Sequence, residues 1–323
     1  MVGNENSHTP VMVDEVVEYF GLPKAPLQHL VSIKDKKVFA DLTLGAGGHA
    51  SAIVTRGGLI IGIEADPELV KIARKTLNEV CKVYPACPAD NLDESFIIFN
   101  DNFINLTSIV KNAGIDSLDG ILIDLGVSSV HMDDHHRGFS FKNSQGDLDM
   151  RLNPGLQGVK ASDLLNALPE DKLEMLFSDY MEFRSVKRLV GSIISYRRLR
   201  KIQTVGDFLT VIEKSGLSQK RSRKQKINVS TIPFMALRIA VNSELENLEI
   251  VLPKALSLLK KDGVFAVISF HSMEDKIVKD YFRNCKNNGK GMVLTEKPLV
   301  PKDSEIRKNP RSRSAKLRIL KKL

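Results

Sequence analysis

The chain has 323 residues, 42% of them hydrophobic, which is enough to bury a sizeable core and long enough for about two domains. Its formal net charge of +8 favours a polyanionic partner, because each phosphate neutralised by Lys or Arg releases condensed counterions. No run of about eighteen apolar residues could span a membrane, and MVGNENSHTP lacks the basic-then-apolar layout of a secretion signal, so a cytoplasmic location is expected.

Strand-like and helical patterns alternate through the first part of the chain. KVFADLT (from Lys37) precedes HASAIVTR, LIIGIE (from Leu59) precedes PELVKIARKTLNEV, SFIIFN (from Ser95) precedes NFINLTSIVKNAG, and LDGILIDLG (from Leu118) closes the series. Such alternation predicts βα units and a parallel sheet covered by helices on both faces.

The first βα connection carries the most chemistry. In DLTLGAGGHA, Gly45, Gly47 and Ala50 satisfy the G-x-G-x-x-G/A pattern after a strand, and Glu64 follows about twenty residues on. A dinucleotide such as NAD and a nucleoside cofactor without phosphate both suit that pattern. Asp41 discriminates between them, because it ends the first strand where a carboxylate faces the cofactor. Two unit charges about 4 Å apart interact by about 4 kcal/mol at an effective dielectric of 20, unfavourably for a pyrophosphate and favourably for a cation. S-adenosylmethionine (SAM) has an ammonium, a sulfonium and no phosphate, and its ribose hydroxyls can donate to Glu64. The residues therefore favour SAM while leaving a nicotinamide-dependent oxidoreductase as the rival.

From about Asp134 to Thr231 the strand rhythm stops, and SDLLNALPEDKLEMLFSDY, FRSVKRLVGSIISYRRLR and TVGDFLTVIEKSG have helical spacing of apolar residues. The expected division is a core in two parts, 1–133 and 232–323, with a helical insertion at 134–231 that recognises RNA. It leaves the core after the fourth strand, near the carboxyl ends where open α/β sheets bind ligands. Basic residues cluster at Lys187–Lys201, Lys220–Lys226 and Arg307–Lys322. Beyond the insertion, LENLEIVLPKALSLLKKDG reads as a helix stopped by Gly263, VFAVISF as a fifth buried strand and HSMEDKIVKDYFRN as a helix. GMVLTE and AKLRILKK read as a closing strand pair. Cys81, Cys87 and Cys285 form no CxxC pair, so neither a disulfide framework nor a zinc site is indicated. His131, His135 and His136 lack matching carboxylate spacing, and no metal is expected.

Eight segments in order carry a family resemblance: HTPVMVDEVV (from His8), DLTLGAGGH, DGILIDLGVSS (from Asp119), RGFSF (from Arg137), LDMRL (from Leu148), ALRIAVNSELE (from Ala236), ISFHSMEDKIVK (from Ile268) and NPRSRSAKLRI (from Asn309). From His8 to the C-terminus the chain resembles the ribosomal RNA small subunit methyltransferase H family, the MraW proteins. These methylate N4 of a decoding-site cytidine in 16S rRNA with SAM. The resemblance implies a class I SAM-dependent methyltransferase fold: a Rossmann-like parallel sheet with an antiparallel terminal strand, interrupted by an all-α domain. It implies cofactor contacts at Gly47, Gly48, His49, Glu64, Phe103, Asp124 and His131. Glu64 stands where the family usually has Asp, and His131 where it has Gln. Ile232 and Met235 replace its Arg and Gln, Met181 to Phe183 occupy the place of a GEE triplet, and Asp147 stands in place of a proline beside one added residue.

Amino-methyltransferases acting on bases often carry (Asp/Asn)-Pro-Pro-aromatic after the fourth strand, and DLGV stands at that place here. Asp124 and the carbonyls of Leu125 and Gly126 are thus the candidates for orienting N4 and taking its proton. Arg137 and Phe139 are candidates for an unstacked base. Arg238, Asn242, His271, Arg311 and Arg313 complete the RNA set. A DNA amino-methyltransferase and a ribosome-assembly RNA binder without catalysis are the alternatives; the missing proline tetrad opposes the first, and the intact GAGGH with Asp124 opposes the second.

Overall fold

The computed structural model describes residues 10–28, 36–84, 95–217 and 228–323. The basic run Lys220–Lys226, Cys87 and His8 lie outside the described residues. The chain divides into two compact units, Met1–Ser128 with Leu245–Leu323, and Ser129–Glu244.

The first unit is built on seven strands: β1 Val38–Asp41, β2 Leu59–Glu64, β3 Phe96–Asn100, β4 Leu118–Asp124, β5 Leu259–Ser269, β6 Gly291–Val293 and β7 Lys316–Lys322. They lie in the order β3-β2-β1-β4-β5-β7-β6. β1 to β5 are parallel, and β7 runs antiparallel between β5 and β6. This is the class I methyltransferase core, reversed terminal strand included.

Neighbouring strand residues feed opposite faces. Phe39, Ile60, Leu122 and Ile268 pack with α1 (Val13–Tyr19), α2 (Gly48–Val54) and α3 (Pro67–Val83), while Ala40, Ile61, Ile123 and Val267 pack with α4 (Leu106–Asn112), α11 (Glu244–Leu258) and α12 (Ser272–Asn287). That period of two explains why the strands read as continuous apolar runs: both faces are covered. α3 shows the matching helical logic. Asp66 caps it by accepting from the Glu68 amide, Pro67 occupies the first turn where a missing N–H is harmless, and Leu69, Ala73, Leu77 and Cys81 form its buried stripe.

One boundary differs from the sequence expectation. α11 ends at Leu258, and Gly263 lies inside β5 instead of terminating the helix. The register of β5 against β4 shifts between Leu118 and Gly120, with Asp262 at φ 66°. A Cβ on Gly263 would come 2.9 Å from the Lys260 carbonyl oxygen, so the glycine serves an irregularity of the strand.

The second unit is made of helices: α5 (Ser129–Asp133), α6 (Ala161–Ala167), α7 (Glu170–Ser178), α8 (Phe183–Leu199), α9 (Val205–Lys214) and α10 (Thr231–Asn242). Its described residues form no strand, only an isolated bridge between Asp147 and Thr204. The Thr204 hydroxyl caps α9 through the Asp207 amide, and the Asp207 carboxylate accepts from the amides of Gln203 and Thr204, from the Tyr196 hydroxyl and from Arg200. Burial pushes the Asp207 carboxyl up, but these donors outweigh it and hold the group far below the usual carboxylate range. No helix among the described residues is long and apolar enough to cross a membrane.

Phe39 is fully buried and stacks on Phe20 with ring centroids 4.9 Å apart. Phe39→Ala should therefore lower stability by about 3–5 kcal/mol, read as a shift of the denaturant midpoint of the first unit's unfolding. An unchanged midpoint would contradict this packing.

Candidate active site

The glycine segment leaves β1 and enters α2 through two left-handed residues, Gly45 at φ 55° and Gly47 at φ 87°. Side chains other than Asn or Asp rarely adopt that region, so glycine is demanded by the backbone itself. Gly48 has a separate reason: a Cβ there would come 2.8 Å from Pro10. The segment preceding α1 thus packs directly on the loop. His49 adds a second tie, its Nε2 lying 2.8 Å from the Val11 carbonyl oxygen. A carbonyl only accepts, so Nε2 is the protonated nitrogen, and Nδ1 is left facing Asp124 Oδ2 at 3.8 Å.

Carboxylates end three adjacent strands: Asp41 on β1, Glu64 on β2 and Asp124 on β4. The backbone holds them in distinct ways. Glu64 Oε2 accepts from the Gly45 amide at 2.8 Å and Oε1 from the Asp66 amide at 2.9 Å, so this side chain fixes the glycine turn onto β2. Thr43 links the other two, its amide donating to Asp41 Oδ1 at 3.2 Å and its hydroxyl accepting from the Asp124 amide at 2.6 Å. Leu125 extends the β4–β5 pairing by one amide, to the Ile268 carbonyl at 2.9 Å, and Gly126 follows at φ 97°.

What the protein leaves unmet is informative. Asp41 is 1% exposed, and its Oδ2 has no hydrogen-bond partner among the described residues; the same holds for the water-inaccessible Oδ1 of Asp124. Burial pushes the Asp41 carboxyl up to about 7, against the pull of the Thr43 amide and with a further push from Glu64. Asp124 is raised well above the usual carboxylate range by burial, then by Asp41 and Glu274. A buried acceptor without a donor carries a desolvation penalty of about 1–3 kcal/mol, more when ionised. A ligand bearing a positive charge and N–H groups relieves it; a pyrophosphate worsens it.

Two members of this site escape sequence reading. Thr43 looks like an ordinary strand-end residue, and only the pairing of β1 with β4 shows its bridging role. Glu274 is 1% exposed; its Oε2 accepts from the Phe270 and His271 amides, and its Oε1 lies 3.0 Å from His271 Nε2. The signal was present, because H-x-x-E at the start of a helix has the capping-box spacing. His271 is accordingly the N-cap of α12, with its side chain bound to Glu274. Phe103 starts a short 3-10 helix after β3 and packs half-buried against the core.

In the second unit the named residues are engaged with that unit's own chain. Arg137 donates to the carbonyls of Arg151 and Leu152 at 2.7 and 2.9 Å, and Phe139 is 6% exposed with His131 tilted against its ring. Arg238 makes a two-pronged pair with Glu244. Asn242 is buried; it donates to the carbonyls of Met150 and Arg238 and accepts from the Leu152 amide. Together they hold LDMRL, where Met150 sits at φ 64°. Ile232, in place of the family's arginine, is exposed on α10. Arg311 and Arg313 are exposed on a 3-10 turn of the first unit.

The raised Asp41 carboxyl has a consequence for stability. The fold keeps a proton that the unfolded chain releases, so stability is fully present below about pH 4 and is lost as pH rises toward about 7. Asp41→Asn removes this dependence. The difference in unfolding free energy between wild type and Asp41→Asn should grow in the variant's favour by up to about 4 kcal/mol over that interval in ligand-free protein. A difference independent of pH would show that Asp41 ionises normally.

Comparison with known proteins agrees with this geometry. The model of the MraW methylase family matches residues 5–323. The ribosomal RNA small subunit methyltransferase H of Dictyoglomus thermophilum is 36% identical, over 98% of this chain and 96% of its own. The proteins of the same name from Geobacter sp. (strain M21) and Thermotoga neapolitana are each 38% identical, covering 94% and 96% of this chain and 97% and 94% of their own. With a match across nearly its whole length, the chain belongs to the MraW methylase family.

Proposed function

We propose that the protein transfers a methyl group from SAM to N4 of a decoding-site cytidine in 16S rRNA, acting in the cytoplasm on the small ribosomal subunit. The observation that carries this reading is the acidic rim of the glycine turn, where Asp41 and Asp124 each present a buried carboxylate oxygen without a donor. The names of the relatives support the rRNA substrate, and the net charge of +8 suits it.

The donor set fits SAM. Asp41 would take the ammonium, the Glu64 carboxylate would also accept from ribose hydroxyls, and Gly47 and Gly48, seated against Ala73 and Pro10, would meet the cofactor through their backbone. When bound, SAM supplies an electrophilic methyl on a sulfonium, which needs no Lewis acid. His131 and Phe103 remain cofactor contacts in this reading.

The protein's own contribution is mainly placement. The exocyclic amine of cytosine is a weak nucleophile because its lone pair is delocalised into the ring. Holding it in line supplies roughly 7–11 kcal/mol, whereas a general base contributes only about 10²- to 10⁴-fold. Asp124, with the carbonyls of Leu125 and Gly126, orients N4. Asp124, ionised once a bound cation offsets the burial and the neighbouring Asp41 and Glu274 charges that raise it, would receive the N4 proton on Oδ1. The target must be unstacked, which costs a few kcal/mol in a duplex and little in a loop.

Calorimetric titration should show binding of SAM and none of NAD. Below about pH 7 the binding should release protons, since a cation displaces the one on Asp41; this is read as a dependence of the heat on buffer ionisation enthalpy. Tight NAD binding without SAM binding would reverse the assignment. Asp124→Ala should lower the single-turnover rate on unmethylated small subunits by about 10²- to 10⁴-fold with the melting temperature preserved. Near-normal turnover would remove Asp124 from the chemistry.

A further inference from the structure

The second unit holds an open groove of about 530 Å³ between α8 and α9, lined by none of the candidate cofactor or substrate residues named above. Arg188, Gly191, Ser192 and Ser195 form its α8 side, one stripe at helical spacing, and Lys214 stands on the α9 side with Lys187 at one end. No acidic residue lines it among the described residues. Lys187 is paired with Glu174 at 2.6 Å, so among the described lining residues the cations without an acidic partner are Arg188 and Lys214. Folding brings these two like charges to one concavity from separate helices. Lys214 rests over the Tyr196 ring at 5.5 Å, and that ring also receives the Arg200 guanidinium at 5.2 Å, so the basic side of the groove is braced.

The stripe has the shape and chemistry for a close-lying anion. Gly191 has open space where a Cβ would stand, and the Ser192 and Ser195 hydroxyls make no hydrogen bond among the described residues. Small residues let a ligand's backbone come near the helix, hydroxyls can donate to phosphate oxygens, and the flanking cations neutralise them. Phe183, 72% exposed one turn before Lys187, adds an aromatic face of the kind on which an unpaired base stacks.

We propose that this α8–α9 groove binds the sugar–phosphate backbone of the RNA substrate, fixing its register without reading its sequence. The proposal rests on the rRNA reading above and assigns that partner a place on the helical unit. Gly191→Glu puts a carboxylate into the groove without a packing clash, and Gly191→Ala is its control, since an alanine at this helix position is favoured over glycine. The full chain is used, with unmethylated small ribosomal subunits as the probe and affinity measured at several salt concentrations.

Gly191→Glu should weaken binding at least tenfold at moderate salt and reduce the slope of log affinity against log salt by about one to two. SAM affinity and melting temperature should stay at the Gly191→Ala values. Paired reversal by Arg188→Glu and Lys214→Glu should weaken binding more than Lys71→Glu with a second exposed reversal on α3, Lys75→Glu, which changes net charge equally. Wild-type affinity and slope in Gly191→Glu, an equal loss in Gly191→Ala, or an equal loss in the α3 control would each overturn the groove assignment while leaving methyl transfer intact. A wild-type protein that neither binds nor methylates the subunit would instead overturn the rRNA reading, and the groove assignment with it.

Discussion

Carboxylates with little access to water set the terms for this protein. Asp41, Glu64 and Asp124 lie at the carboxyl edge of one parallel sheet, with Glu274 close enough to raise Asp124 further. Glu64 accepts a backbone amide on each of its oxygens; the other two each keep a buried oxygen with no donor among the described residues. Like charges gathered in a poorly solvated place are unfavourable by themselves, which adds to burial in keeping the protons of Asp41 and Asp124 on above the usual carboxylate range. The arrangement disfavours a pyrophosphate beside the glycine turn and favours a ligand that brings compensating positive charge.

The fold delivers this edge through short-range bonds between strands. β1 lies between β2 and β4, so the turn after it can be tied to both: to β2 by Glu64 accepting from Gly45, and to β4 by Thr43 accepting from Asp124. The N-terminal segment closes the far side of the turn by packing Pro10 on Gly48 and taking His49 to the Val11 carbonyl. Its own position is fixed by the Met12 amide donating to Glu305 at 2.8 Å, a contact between residues almost a whole chain apart. Both ends of the sequence therefore support one loop.

The helical unit divides its polar residues between internal and external work. Arg137, Arg238 and Asn242 satisfy carbonyls and carboxylates of the unit itself, stabilising a loop whose Met150 has a left-handed backbone. A buried polar network of this sort is worth having only when nearly every member is paired, and Asn242 meets that standard through both its amide and its carbonyl. Arg188 and Lys214, in contrast, line a groove with no acid among its described residues. Positive charge in the composition is thus not interchangeable: some of it serves the unit's own carbonyls and carboxylates, and some lines an open groove.

The order of strands and helices, the glycine turn and the sign of the charge beside it were legible from residues alone, because each is a local property. Buried strands are apolar throughout, a left-handed turn demands glycine, and Asp41 ends a strand wherever that strand lies. Roles that depend on which distant groups meet were not legible. Arg137 and Phe139 read as a cation and an aromatic ring for an unstacked base, and only the fold shows that the guanidinium meets the carbonyls of Arg151 and Leu152 and that the ring is buried. Gly263 looks like a helix stop until the register of β5 makes it part of a strand irregularity. Thr43 and Glu274 become site residues only through hydrogen bonds that the tertiary arrangement creates. Local backbone preference and hydrophobic period are written residue by residue, whereas desolvation and pairing belong to the places where the chain returns upon itself.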